Sequence, residues 1–213
     1  MLSLTFLTRF NPIVYAVARR AFYKKMEKKS ALLVVADGSE EMEAVISADV
    51  LRRAGVDVTI ASLSNSPCVT CSRNVAVCAD VLFADVVHET FDAVVLPGGL
   101  GGAKTFAASA ELGELLKKQH EENRIIAAIC AAPLALKAHD IAKGKAITSY
   151  PSMKNELAND YNYLEDKVVT TDNIITSRGP ATAFAFALAI VEKLMNKETA
   201  GTVAKAMLYD DYQ

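Results

Sequence analysis

The chain has 213 residues, 52% hydrophobic and 23% charged, a composition that excludes global disorder and leaves room for one large domain, or one domain with an appendage. A formal net charge of −2 and the absence of Trp exclude strong electrostatic or stacking-based binding of nucleic acid. Four cysteines, with no Asn-x-Ser/Thr sequon, fit a reducing compartment better than secretion.

Residues 1–29 carry Arg9, Arg19, Arg20, Lys24, Lys25, Lys28 and Lys29 against one acid, Glu27. The remaining body holds 16 basic and 24 acidic residues, a net of −8. Leu2, Leu4, Phe6, Leu7, Ile13, Val14, Val17 and Phe22 are interspersed with the bases. This is the amphipathic, acid-poor composition of a mitochondrial presequence; the other reading is an N-terminal extension left in the cytosol. Cytoplasm, mitochondrion and also nucleus are therefore the expected locations. Arg9 interrupts the early apolar run and argues against a secretory signal, and no apolar stretch reaches the ~20 residues of a membrane span.

From Ser30 a single domain, 30–213, is expected. Ala31–Ala36 reads as a buried strand and Asp37–Ser39 as the turn after it. Ser39 is the expected N-cap of a helix to Ala54, with Glu40 and Glu41 as first-turn charges and Gly55 as the stop. Val56–Ala61 and Ala93–Leu96 read as strands, the second ending in Pro97-Gly98-Gly99. Residues 111–122 read as a helix and Ile125–Ile129 as a buried strand. A helix to about His139 follows Cys130-Ala-Ala-Pro133. Short strands are expected near 146–149, 168–171 and 174–177, a long apolar helix from Pro180 to Met195, and a last helix over 198–208. Continuous apolar strands alternating with helices give a mostly parallel sheet covered on both faces: a flavodoxin-like three-layer α/β/α sandwich. In such folds the site lies at the carboxyl ends of the strands, which places Asp37–Glu43, Pro97–Gly102 and Cys130–Pro133 together.

Cys130 stands where a buried strand meets a helix, between small residues and Pro133, as in a nucleophile elbow. The helix N-terminus is expected to favour its thiolate, the nucleophilic and oxidisable form; the bland alternative is a small buried hydrophobe. Glycines 98, 99, 101 and 102 let backbone N–H groups approach a ligand, and with the N–H of Ala131 they could form an oxyanion hole; a plain tight loop is the alternative. The G-x-G-x-x-G frame of a dinucleotide site is not met. Glu43 shares a helix face with Ile46 and Val50, so it points into apolar surroundings that raise a carboxyl pKa. Protonated, it could hydrogen-bond a thiolate and shuttle protons; as a solvated helix glutamate it would do neither. His139, nine residues after Cys130, would lie about 14 Å off on the opposite side of one helix. His88, His120 and His139 show no metal-ligand spacing, so neither a metal nor a cofactor is expected.

Ala36–Glu43, Val95–Gly99, Ile125–Pro133 and Thr176–Pro180 together resemble the DJ-one (Parkinson disease protein deglycase) family of the ThiJ/PfpI superfamily, over essentially all of residues 30–208. The resemblance implies a homodimer in which Cys130 is an oxidation-sensitive nucleophile and Glu43 the protonated carboxylate bonded to it. It implies that the N–H groups of Gly99 and Ala131 are oxyanion-type donors. It also implies oxidation of Cys130 to a sulfinate, protection from oxidative stress (neuroprotection included), and cofactor-free glyoxalase or deglycase activity on methylglyoxal and its protein or nucleotide adducts. Cys71, Arg73 and Cys78 match a region near the family's dimer interface, with Cys71 and Cys78 as redox or interface thiols. The family often has His where this chain has Tyr150. Tyr150 is then the auxiliary residue, although a phenol shuttles protons near neutrality only if its pKa is strongly lowered. Ala131 stands where the protease branch has His, which argues against peptidase activity. Cys68-Val-Thr-Cys71, outside the resemblance, reads as a pair of surface thiols, with a regulatory disulfide or a lipidated Cys as the alternatives. Three functions are weighed: a cysteine-based oxidative-stress sensor and protective protein that also converts aldehydes, a non-catalytic chaperone or signalling protein switched by Cys130 oxidation, and an amidotransferase-like hydrolase, for which the sequence offers no nearby base.

Overall fold

The computed structural model describes residues 28–212. The chain runs β1 (Ser30–Val35), α1 (Glu41–Arg53), β2 (Asp57–Ser62), β3 (Cys68–Thr70), β4 (Ala76–Cys78), β5 (Val81–Leu82), α2 (Phe83–Val86), β6 (Ala93–Leu96), α3 (Leu100–Ala108) and α4 (Ala110–Glu121). It continues β7 (Ile125–Ile129), α5 (Pro133–Ala138), β8 (Ala146–Ile147), α6 (Lys154–Leu157), β9 (Asn162–Tyr163), β10 (Val168–Thr171), β11 (Ile174–Ser177), α7 (Ala183–Leu194) and α8 (Lys197–Ala206). Of the basic head, only Lys28 and Lys29 are described: Lys29 pairs with Asp92 at 2.8 Å and Lys28 with Asp57 at 3.5 Å. The presequence reading otherwise lies outside the described residues.

The central sheet has seven strands in the order β10-β11-β7-β6-β1-β2-β5, parallel throughout except for β10. Its inner strands are apolar on both sides because both sides are covered. Leu33, Val35, Val95, Ala127 and Ile129 pack toward α1, α7 and α8 through Ala48, Leu51, Phe186, Ile190 and Val203. Leu32, Val34, Val94, Leu96 and Ile126 pack toward α3, α4 and α5 through Phe106, Leu112, Leu116 and Leu136. The result is the flavodoxin-like α/β/α sandwich. From β1 the chain passes to β2 on one side and then to β6 on the other, so a topological switch point opens between β1 and β6, above their carboxyl ends.

Several local expectations are corrected. Gly101 and Gly102 belong to α3, which begins at Leu100, and not to a loop. The 146–149 strand is only Ala146–Ile147, and it pairs with β9 in a separate small sheet. Pro180 opens a 3₁₀ turn ahead of α7. Ser39 is not the N-cap of α1. Its Oγ accepts from Ala36 N at 3.0 Å and closes the turn after β1, which leaves the Glu40 carboxylate to accept from Glu43 N at 2.8 Å.

Candidate active site

Cys130 is the first residue after β7 and has φ +64°, a left-handed conformation that costs a non-glycine residue energy. The fold holds it there from both sides. Its N–H donates to Ser177 O on β11 at 3.0 Å, and its carbonyl accepts from Tyr150 N at 2.8 Å. Ala132 N donates to Ile129 O at 3.0 Å and closes the sharp turn, and Pro133 then starts α5. The backbone N–H groups of Gly99 and Ala131 lie toward the Cys130 sulfur and favour negative charge on it. Cys130 is buried, with 9% of its surface exposed.

Glu43, on the first turn of α1, is fully buried. Its Oε2 accepts from Gly98 N at 2.6 Å, while Oε1 has no hydrogen-bond partner. The carboxyl and the Cys130 thiol are neighbours, each shifting the other's titration. Gly98 is what lets them meet: a Cβ there would stand 2.5 Å from Cys130 Cβ and 2.7 Å from Glu43 Oε2. Gly99 has φ +82°, and a side chain on it would run into the carbonyl of Gly38. The three segments at the ends of β1, β6 and β7 thus converge on one sulfur and one carboxyl.

A family model described as the DJ-1/PfpI family matches residues 29–193. The chain belongs to the DJ-1/PfpI family. Protein dj-1beta of Drosophila melanogaster is 53% identical over 181 residues, covering 84% of this chain and 97% of that protein. The crystal structure of Drosophila melanogaster DJ-1beta superposes with a TM-score of 0.83 over 85% of this chain and 98% of the other, at 53% identity. The glutathione-independent glyoxalase DJR-1.2 of Caenorhabditis elegans is 39% identical over 181 residues, 85% of this chain and 96% of that protein.

Within this DJ-1/PfpI chain the site's electrostatics differ from the sequence expectation. Burial, the Glu43 charge and the hydrogen bond with Glu43 push the Cys130 thiol up to about 12, against the downward pull of the Gly99 and Ala131 N–H groups. The six-residue α5 does not by itself favour the thiolate. Burial, with the nearby Glu40 charge adding to it, raises Glu43 to about 7 although the Gly98 N–H and the Cys130 thiol pull it down. The two groups face each other, so the charge on either one opposes ionisation of the other.

The cysteine expectations are also corrected. Cys71 is not a surface thiol: it is 3% exposed and packs in the core. Burial and the carboxylates of Glu41, Glu40 and Asp37 raise its pKa, so it is a poor redox thiol. Cys78 is not free but bonded to Cys68, its partner across the β3–β4 hairpin. Tyr150 contributes its backbone N–H to Cys130, while its side chain is 47% exposed and lies over Gly179. Glu41, read from sequence as a first-turn charge, is buried. It accepts from Ser72 Oγ at 3.0 Å and Arg73 N at 2.8 Å. His139 Nε2 bonds Phe106 O and His120 Nδ1 bonds Asn173 Oδ1, which gives both rings structural positions. Among the described residues no cluster of three or more potential metal ligands occurs, and no helix is long and apolar enough to cross a membrane.

Proposed function

We propose that the protein converts small 2-oxoaldehydes such as methylglyoxal to the 2-hydroxy acid without glutathione, with Cys130 as nucleophile and Glu43 as acid and base. The observation that carries this reading is the pairing of a strained, N–H-bracketed cysteine with a buried carboxyl whose titration lies near neutrality. The glyoxalase name of the Caenorhabditis elegans relative supports it.

The Cys130 thiolate attacks the aldehyde carbon, and the carbonyl oxygen takes the proton of Glu43, forming a hemithioacetal. Glu43, now a carboxylate, removes the hydrogen from that carbon and returns it to the adjacent one, while the hydroxyl proton of the first carbon passes to the oxygen of the second, which converts the hemithioacetal into a thioester. Water, giving one proton to the Glu43 carboxylate, then attacks the thioester carbonyl and the C–S bond breaks. The hydroxy acid leaves and the thiolate is restored. The N–H groups of Gly99 and Ala131 stabilise negative charge on sulfur and, during the reaction, on the developing oxyanion. Removal of aldehyde from its early protein or nucleotide adducts would use the same steps on aldehyde in equilibrium with the adduct. Tyr150 acts through its backbone N–H, which fixes the Cys130 turn.

The same bracket suits a second role as an oxidative-stress sensor. A Cys130 sulfinate would find donors in Gly99 and Ala131 and in a protonated Glu43 whose Oε1 is otherwise unpartnered. Exposed Met42 and Val45, three residues apart on α1, support burial of that face in a homodimer. The test is incubation of the full chain with methylglyoxal, following lactate formation. Cys130→Ala and Glu43→Ala should each lower turnover by at least about a hundredfold, the usual worth of acid–base assistance. Turnover no higher than in those variants, with Cys130 verified as reduced, would sink the enzyme reading and leave the sensor.

A further inference from the structure

The β3–β4 hairpin stands apart from the central sheet and holds chemistry that the Cys130 reading does not use. Its register puts Cys68 directly opposite Cys78, and the two form a disulfide with Cα atoms 3.9 Å apart. Both residues are exposed, so a dissolved reductant or oxidant reaches them without unfolding the chain.

The hairpin is tied to the loop after β1. Gly38 N donates to Thr70 O, Thr70 N donates to Asp37 Oδ1, and Ser72 N donates to Ser39 O, each at 2.8 Å. That loop is the surface on which Gly99 rests, since a Cβ on Gly99 would meet Gly38 O and lie 2.7 Å from Glu40 N. Gly99 in turn follows Gly98, which packs directly against the Cys130 side chain, and its N–H favours charge on the sulfur. Contacts therefore run unbroken from the disulfide through Thr70, Gly38 and Gly99 to the reactive thiol.

We propose that Cys68 and Cys78 form a second redox site, opened by dithiol reductants and closed by peroxide, whose closed form braces the Gly38–Gly99 contact beside Cys130. In opening, one thiolate of the reductant attacks a sulfur of the pair and releases the other as a thiol. The second thiol of the reductant then resolves the mixed disulfide. Two electrons and two protons pass to Cys68 and Cys78, and the reductant leaves as its own disulfide. In closing, hydrogen peroxide converts one thiol to a sulfenic acid with loss of water, and the other thiol displaces a second water to form the S–S bond. Cys71 takes no part, because it is buried among core residues behind the hairpin.

The experiment compares the full chain in its closed and dithiothreitol-opened forms, with reductant removed, against Cys68→Ser. Peptide mass mapping reports the pairing, amide hydrogen exchange reports Gly38, Thr70 and Ser72, and initial rates of peroxide oxidation report Cys130. The expected result is a pair that opens and closes reversibly within one chain. Exchange at the three amides should be about tenfold faster in the open form, within what closing a short loop removes. Cys130 should be oxidised about threefold more slowly there, the loss given by half a pKa unit. Cys68→Ser should match the open form with or without dithiothreitol. Free thiols persisting after peroxide, links between two copies, or equal exchange and oxidation rates in both forms would overturn the proposal. The pairing and exchange readouts do not depend on what Cys130 does, so this failure is separable from failure of the glyoxalase reading.

Discussion

At Cys130 and Glu43 the question is which atom holds the negative charge once the pair has lost its first proton. Two N–H groups aim at the sulfur, whereas the carboxyl receives one, from Gly98 to Oε2. A proton on Oε1, the carboxyl oxygen without a partner, is a donor that needs an acceptor, and a thiolate beside it supplies one. These counts favour thiolate with carboxylic acid over thiol with carboxylate. Thiolate ultraviolet absorbance should therefore rise below pH 9 in the unmodified protein, well under the value of about 12 that burial and a charged Glu43 impose on the thiol, and be absent in Cys130→Ser. In Glu43→Gln that rise should shift, because the carboxyl that shares the proton is gone. No rise below pH 9 in the unmodified protein would put the charge on Glu43 instead and require Glu43 to act first as base. Glu43 was legible in the sequence because its spacing from Ile46 and Val50 shows which way it points. Glu41 was not, because Ser72 and Arg73, its partners, lie 31 and 32 residues away across a hairpin whose presence no local pattern announces.

Among the elements, the same contrast separates strands from hairpin. β1, β6 and β7 are unbroken apolar runs, and burial on both faces of a parallel sheet leaves that signature. β3 and β4 are three residues each and mostly exposed, too short to show a period, so the Cys68–Cys78 register was hidden with them. α3 was hidden because its first turn holds Gly101 and Gly102, residues of low helix propensity admitted by close packing against the β1 loop. What fastens the hairpin is Glu41: burial raises its pKa, but bonds from its own backbone and from Ser72, Arg73 and Val75 outweigh that and lower it. Glu41→Ala leaves the Ser72 hydroxyl and Arg73 N–H half-buried without an acceptor, which should cost about 1–3 kcal/mol in urea unfolding. Limited proteolysis should then cut first within residues 68–78. A variant as stable and as resistant as the parent would show that Asp37 and the β1 loop hold the hairpin unaided.

For the whole molecule, the buried pair links stability to pH with a definite sign. Unfolded, Glu43 titrates at its ordinary 4.5; folded, burial raises it to about 7. Between those values the folded chain binds the more protons, so stability falls as pH rises. The contribution is fully present below 4.5 and is lost by the time pH passes 7, whether the resulting charge rests on sulfur or on oxygen. A shift of this size amounts to at most about 3 kcal/mol. Glu41 works oppositely: its lowered pKa stabilises the fold above its ordinary value of 4.5 and is lost as pH falls. The two opposing slopes should place maximum stability on the acidic side of neutrality. Glu43→Gln removes the upper slope and keeps the lower one. Denaturant midpoints taken from pH 4 to pH 8 should therefore decline above pH 5 in the parent protein and stay level in Glu43→Gln. Parallel curves for the two would mean that the cost of burying Glu43 is not the term that sets this slope. The molecule sacrifices stability near neutral pH, where it keeps a carboxyl fully buried in its core, beside the sulfur that the fold holds in a left-handed turn.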